Sequence, residues 1–271
     1  MATTPITGNR GDLRVFPDPK AVAHAAAELF TSQFEASARK HRRFRVSLSG
    51  GSTPKLTYEL LATPEFNSRI DWSLVDLFWG DERYVPHDHP ESNYGMTHKA
   101  LLQHVPVPPS SIHAVPTELR PADAAASAYE EDIRKTFGSD EVPVFDLIFL
   151  GLGTNGHTAS LFPHSTALKE TKRLVIADFV QEVNMWRISM TAPLLNRGRV
   201  VAFLIAGQDK AQVLRDVMLG PRDPDRLPAQ LIAPEGQSLW MIDEAAASLV
   251  SHDKSSQSER DARSTTLRKP A

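Results

Sequence analysis

The sequence predicts an α/β protein, a mainly parallel β-sheet covered by helices on both faces. Two observations predict it. Short apolar runs of strand length, continuous enough to be buried on both sides, alternate with segments of helical periodicity. Several of these runs end directly in glycine-rich or charged turns, as in open α/β sheets, whose ligands bind beyond the carboxyl ends of the strands. At 271 residues the chain can bury a sizeable core, and one large domain is expected rather than two small ones.

The elements follow in order. Asp18-Pro19 supplies an N-cap and a proline at the first helical position, and the alanine-rich stretch behind it predicts a helix to about Lys40. Phe44 to Leu48 reads as a short strand, and Ser49-Gly50-Gly51-Ser52-Thr53-Pro54 turns into a helix carrying Leu56, Leu60 and Leu61. A buried strand from Leu74 to Trp79 ends in Gly80-Asp81-Glu82-Arg83, and a proline-rich loop leads to a helix from about Ser92 to Gln103. Ala122 to Phe137 is a further helix, followed by a strand at Phe145 to Leu150. Strands are also predicted at Leu174 to Ala177, Trp186 to Met190, Val200 to Ile205 and Ser238 to Ile242, with helices at Gln208 to Leu219 and Glu244 to Val250. Residues 1–12 are expected to be flexible, 13–250 to form the domain, and the polar stretch 251–271 to be a disordered tail. There is no internal repeat.

Thirty basic against thirty-three acidic residues leave a formal net charge of -3. No general field draws such a chain to nucleic acid or anionic membrane, so an anionic ligand must be held by local groups. The absence of cysteine removes disulfides, thiolate metal sites and cysteine nucleophiles, and it fits a reducing cytoplasm. Neither a signal core nor a run approaching the roughly 20 apolar residues of a membrane span is present. A soluble cytoplasmic protein is expected.

The segment from Phe145 to Pro163 carries the strongest functional signal. Its apolar strand feeds Gly151-Leu152-Gly153-Thr154-Asn155-Gly156-His157, where glycines allow positive φ or close approach of a ligand, and His157 is the side chain suited to moving protons near neutral pH. The serine-glycine turn at Ser49 to Thr53 offers hydroxyls and backbone N–H groups at a helix start, which attract phosphate; taken alone it fits an ordinary capped turn equally well. It lacks the Gly-Lys-Ser/Thr ending of a Walker loop, and no complete dinucleotide fingerprint exists. Asp81 and Arg83 fit a loop ion pair or a ligand contact, with Arg83 able to bind phosphate in a forked geometry. Arg187 and Lys210 add positive charge if they converge on the same place. His87 and His89 flank Asp88 in a polar loop without further ligands, a weak basis for a metal, and none is expected.

Together these motifs resemble the 6-phosphogluconolactonases. The resemblance rests on Ser47-Leu48-Ser49-Gly50-Gly51-Ser52-Thr53-Pro54, on Phe78-Trp79-Gly80-Asp81-Glu82-Arg83 with Ser92-Asn93, and on the stretch from Gly151 to Pro163, in that order; it covers roughly residues 13 to 250. It implies a single Rossmann-like α/β/α domain of the glucosamine-6-phosphate deaminase and ribose-5-phosphate isomerase type, working without metal or organic cofactor. The implied partner is a phosphosugar lactone, and the chain is expected as a monomer or small homo-oligomer. His157 becomes the general base, with Asp81 second in line for catalysis. Ser49, Gly50, Gly51, Ser52, Thr53, Arg83, Asn155, Gly156, Arg187 and Lys210 become the substrate and phosphate contacts, and backbone N–H groups of the Gly151 to His157 turn the oxyanion donors.

One departure stands out: Asn155 occupies a position that is usually aspartate, keeping a hydrogen-bonding side chain and losing a charge. Deaminases of this fold use an aspartate there and a glutamate five residues after the histidine, where this chain has Asn155 and Phe162. A sugar-phosphate isomerase or deaminase, and a non-catalytic phosphosugar sensor, are the alternatives to a lactone hydrolase.

Overall fold

The structure is a computed structural model, and it describes residues 6–8, 10–138 and 141–250. Its strands are β1 (Ile6–Gly8), β2 (Gly11–Phe16), β3 (Phe44–Leu48), β4 (Val75–Trp79), β5 (Asp81–Arg83), β6 (Ile112–His113), β7 (Leu147–Leu150), β8 (Val175–Val180), β9 (Met185–Met190), β10 (Val200–Ile205) and β11 (Gln237–Asp243). Its helices are α1 (Pro19–Ala38), α2 (Ser52–Leu61), α3 (Pro64–Asn67), α4 (Asn93–Ala100), α5 (Ala122–Phe137), α6 (Ala192–Leu195), α7 (Ala211–Leu219) and α8 (244–250).

Eight strands form the main sheet in the order β1-β2-β11-β10-β7-β3-β4-β6. Only the β1–β2 pair is antiparallel; every other neighbouring pair runs parallel. Both faces are covered, which explains the continuous apolar runs. Along β10, Val200, Ala202 and Leu204 pack into the core under α1 and α2, while Val201, Phe203 and Ile205 pack on the opposite side with residues of α5, α7 and α8. Strand β7 divides the same way, Leu147 and Phe149 to one side and Ile148 and Leu150 to the other. Side chains alternating across a doubly covered sheet leave few positions for a polar residue.

Three features differ from the sequence-based expectation. The strands predicted at 174–177 and 186–190 do not enter the parallel sheet; as β8 and β9 they form a separate antiparallel sheet in the order β5-β9-β8. The physical reason is the link between them, residues 181–184, ending in Asn184 at φ 47°. That is far too short for a parallel crossover, which needs a dozen or more residues. Second, Asp81–Arg83 is not a turn but the strand β5, paired with β9. Third, part of the 1–12 stretch is paired, in β1 and at the start of β2. The tail expected at 251–271 lies outside the described residues.

Gly80 joins the two sheets. Its N–H donates to the Leu48 carbonyl of the main sheet at 2.9 Å, and its own carbonyl accepts from Met190 N–H of the second sheet at 2.8 Å. Two buried tyrosines finish the strand ends nearby. The Tyr58 hydroxyl bonds both the N–H (2.9 Å) and the carbonyl (2.8 Å) of Ser49, and the Tyr129 hydroxyl does the same for Trp79 (2.8 and 2.9 Å). Backbone groups that leave a sheet need such partners when buried. Among the described residues no helix is long and apolar enough to cross a membrane.

Candidate active site

A cavity of about 450 Å³ opens where the carboxyl ends of β3, β7 and β10 meet β5 and β9. Its walls bring together Ser49 to Thr53 after β3, Asp81 and Arg83 on β5, Asn155 and His157 after β7, Arg187 on β9, and Lys210 after β10. Of the residues singled out in the sequence only Gly156 does not line it. Gly156 adopts φ +88°, a Cβ there would meet the Leu227 side chain at 2.7 Å, and its carbonyl accepts from Ala229 N–H at 3.0 Å. It shapes the turn and ties it to the 227–229 segment.

His157 is held from several directions. Its Nδ1 lies 2.6 Å from Asn155 Oδ1, and its backbone N–H donates to the same oxygen at 3.1 Å. The imidazole stacks on Phe162 with centroids 4.1 Å apart. It also lies so close to Gly153 that a Cβ there would come within 2.1 Å of the ring. Gly153 is thus required for space, whereas only Gly156 of the three glycines in this turn uses positive φ. An amide oxygen only accepts, so Nδ1 carries the proton and Nε2 holds the lone pair. Nε2 has no hydrogen-bond partner among the described residues. Burial pushes His157 down to about 4; Arg187 and Lys210 act in the same direction, opposed by Asp81 and Glu182.

Three of the seven expected oxyanion donors of this turn are occupied. Gly153 N–H donates to the His157 carbonyl at 2.8 Å and Gly156 N–H to the Gly153 carbonyl at 2.9 Å, while His157 N–H bonds Asn155. A seven-residue turn this tight closes on its own backbone, leaving those three N–H groups unable to serve a ligand.

Strand alternation separates the two carboxylates of Gly80-Asp81-Glu82-Arg83. Asp81 and Arg83 face the cavity. Glu82 points away and caps α4, accepting from the backbone N–H groups of Arg83 (2.8 Å), Asn93 (2.7 Å) and Tyr94 (2.8 Å) and from Ser92 Oγ (3.1 Å). Burial raises its pKa, and these backbone donors oppose the shift. Asp81 accepts from Ser160 Oγ at 2.6 Å.

Three cationic side chains line the same cavity. Arg83 and Arg187 are register partners on β5 and β9, so their side chains share a face. Like charges placed directly opposite are destabilising unless an anion lies between them. Arg187 is 7% exposed, its Nε has no partner, and among the described residues it forms no ion pair. Burial first, and then Arg83, lower its pKa. Arg83 donates to the Glu91 carbonyl at 2.5 Å, and its Nε is also buried without a partner. Lys210 Nζ reaches Asp209 at 3.2 Å. The adjoining end of α2 has Gly51 as N-cap, at φ 110°, and no side chain bonds its first N–H groups. Uncapped N–H groups and arginines lining one cavity can receive an anion.

Asn93, Ser160, Phe162 and Glu182 also line the cavity. Asn93, Ser160 and Phe162 lie within the motifs quoted above, but nothing in the sequence marks Glu182, which belongs to the exposed turn between β8 and β9. The histidines of the polar loop serve locally: His87 bonds the Val115 carbonyl at 2.8 Å, and His89 Nδ1 accepts from Glu91 N–H at 3.2 Å.

Comparison with known proteins agrees with this architecture. The family described as glucosamine-6-phosphate isomerases/6-phosphogluconolactonase matches residues 17–241. A 6-phosphogluconolactonase of Nostoc sp. is 37% identical over 241 residues, covering 88% of this chain and 98% of that relative. The structure of 6-phosphogluconolactonase from Trypanosoma cruzi superposes with a TM-score of 0.78 at 28% identity, covering 91% of this chain and 98% of that one. A monomeric glucosamine-6-phosphate deaminase, with a TM-score of 0.75 at 20% identity over 88% of this chain and 99% of its own, shares the fold. This chain therefore belongs to the glucosamine-6-phosphate isomerase/6-phosphogluconolactonase family.

Proposed function

We propose that this chain hydrolyses 6-phospho-D-glucono-1,5-lactone to 6-phospho-D-gluconate, the lactone step of the oxidative pentose phosphate pathway, with His157 as general base. The observation that carries the proposal is a neutral imidazole in the cavity wall, its Nδ1 pinned by Asn155 and its Nε2 unbonded, in the same cavity as a buried guanidinium without an ion-pair partner. The phosphate is assigned to Arg83, Arg187, Lys210 and the start of α2, and the lactone ring to the part of the same cavity lined by the imidazole.

Nε2 takes a proton from water as the water oxygen attacks C1. The tetrahedral intermediate collapses with loss of the ring oxygen, which receives that proton back from His157, and the carboxylic acid formed ionises to solvent. The net positive lining of the cavity favours the charge that develops on the carbonyl oxygen. Asp81, anchored by Ser160, opposes the depression of the His157 pKa and so supports the protonated stage. At the position where a deaminase-type glutamate would act, Phe162 offers a ring face to His157, so the hydrolase is favoured over the deaminase.

The test is the loss of freshly generated 6-phosphogluconolactone, corrected for spontaneous hydrolysis. His157→Ala is expected to lower turnover about 10²- to 10⁴-fold. Near-normal turnover in that variant overturns the assignment of the base. Release of ammonia from glucosamine 6-phosphate, or binding of 6-phosphogluconate without acceleration of lactone loss, overturns the activity.

A further inference from the structure

A chain of hydrogen bonds runs from the turn between β8 and β9 to the imidazole. Glu182 Oε2 accepts from Asn155 Nδ2 at 2.8 Å, and Asn155 Oδ1 faces His157 Nδ1 at 2.6 Å and its backbone N–H at 3.1 Å. The chemistry of the two ends fixes the direction of the amide. A carboxylate only accepts, so Glu182 must meet the NH₂; a backbone N–H only donates, so it must meet the oxygen. Reversing the amide would break the bonds to Glu182 and to the backbone N–H and would force the imidazole into its other tautomer. Glu182 also lines the cavity, although no sequence motif contains it.

We propose that Glu182 is a positioning residue for the reaction, supplying to His157 through the Asn155 amide the anchoring and the negative charge that a carboxylate at position 155 would supply directly. The inference rests on His157 being the base. Asn155 alone holds the imidazole with a neutral acceptor. Glu182 polarises that acceptor and holds its rotamer, much as outer carboxylates orient ligating or catalytic histidines. The other charged groups around His157 are Asp81 on β5, Arg187 on β9 and Lys210 ahead of α7. None of them bonds Asn155 or Nδ1 among the described residues.

The arrangement predicts a reversal that a structural role does not. With Asn155 in place, the partner at 182 should be an anion. With aspartate at 155, a glutamate at 182 would set two carboxylates in contact, and a glutamine, whose amide can donate, becomes the better partner. Turnover of 6-phosphogluconolactone is measured for the intact chain, Glu182→Ala, Glu182→Gln, Asn155→Asp and the double variant Asn155→Asp/Glu182→Gln, with His157→Ala as reference.

Glu182→Ala is expected to lower kcat about 3- to 10-fold with KM within about twofold, because it acts on the base and not on the anion site. Glu182→Gln is expected to lower kcat in the otherwise intact chain and to raise it in the Asn155→Asp background, about 3-fold each way. An unchanged kcat in Glu182→Ala, or the same direction of effect in both backgrounds, overturns the proposal. If instead His157→Ala keeps its activity, it is the base assignment that fails, and the role of Glu182 falls with it. Glu182 is exposed, so these variants test chemistry rather than folding.

Discussion

His157 is a weak base because of where it sits, and binding of substrate changes where it sits. In the free protein, burial and two cations hold it near 4. A phosphate dianion placed beside Arg187 and Lys210 offsets those two influences and favours the imidazolium, so basicity rises in the complex. The acid limb of kcat/KM, which reports the free protein, is therefore expected near pH 4, and the acid limb of kcat at a higher pH; coincident limbs in a pH–rate series would contradict this. The same group governs stability. Its folded pKa lies below the ordinary value of 6.5, so between about 6.5 and 4 the unfolded chain binds more protons. Stability then falls as pH falls through that window, by on the order of 2–3 kcal/mol from this residue. Urea unfolding at pH 7 and pH 4.5 should show a smaller difference in His157→Gln than in the intact chain. With the phosphate on Arg187 as proposed, Arg187→Gln is expected to raise KM by about 10- to 100-fold while lowering kcat much less.

At the scale of elements, the strand β5 links stability to chemistry. Its alternation sends Asp81 and Arg83 to the cavity and Glu82 to the start of α4, so one three-residue strand positions a carboxylate, a guanidinium and a helix. Glu82→Gln replaces an acceptor of four hydrogen bonds by a group with one acceptor atom, leaving donors at the helix start unsatisfied. A loss of about 2–4 kcal/mol in unfolding free energy, measured by urea titration, is expected. This strand also marks the limit of what the sequence discloses. The inner strands β7 and β10 are legible because burial on both faces leaves an unbroken apolar run, and β3, β4 and β11 because apolar residues dominate theirs. The charged Asp81–Arg83 is a strand only because β9 pairs with it, and the two-residue β6 has no pattern to read. Glycine turns expose the site in the sequence because they are local; Glu182 stays hidden because its bond to Asn155 spans 27 residues and depends on the fold.

At the scale of the molecule, the site lies at the seam of two sheets, and the distribution of charge matters more than its total. The chain carries a net charge of -3, so its overall field repels an anionic sugar phosphate; in the proposed reading attraction comes from Arg83, Arg187, Lys210 and the uncapped end of α2, which line one cavity at the seam. Long-range repulsion and local attraction respond differently to salt. Screening at about 0.1 M acts over roughly 10 Å, which removes the net field while leaving contacts inside the cavity largely intact. A shallow response is thus expected at first: KM for the lactone should change less than about twofold between low salt and 0.1 M, because the loss of repulsion compensates for weakened steering. Beyond that, salt anions compete for the buried guanidinium, and KM should rise by about 3- to 10-fold by 0.5 M with kcat nearly constant. Sulfate should act more strongly than chloride at equal ionic strength, since a dianion fits between Arg83 and Arg187 and chloride does not form forked contacts. In Arg187→Gln the difference between the two anions should shrink. A KM that follows ionic strength alone, whatever the anion, would mean that the two arginines sense bulk screening and hold no phosphate.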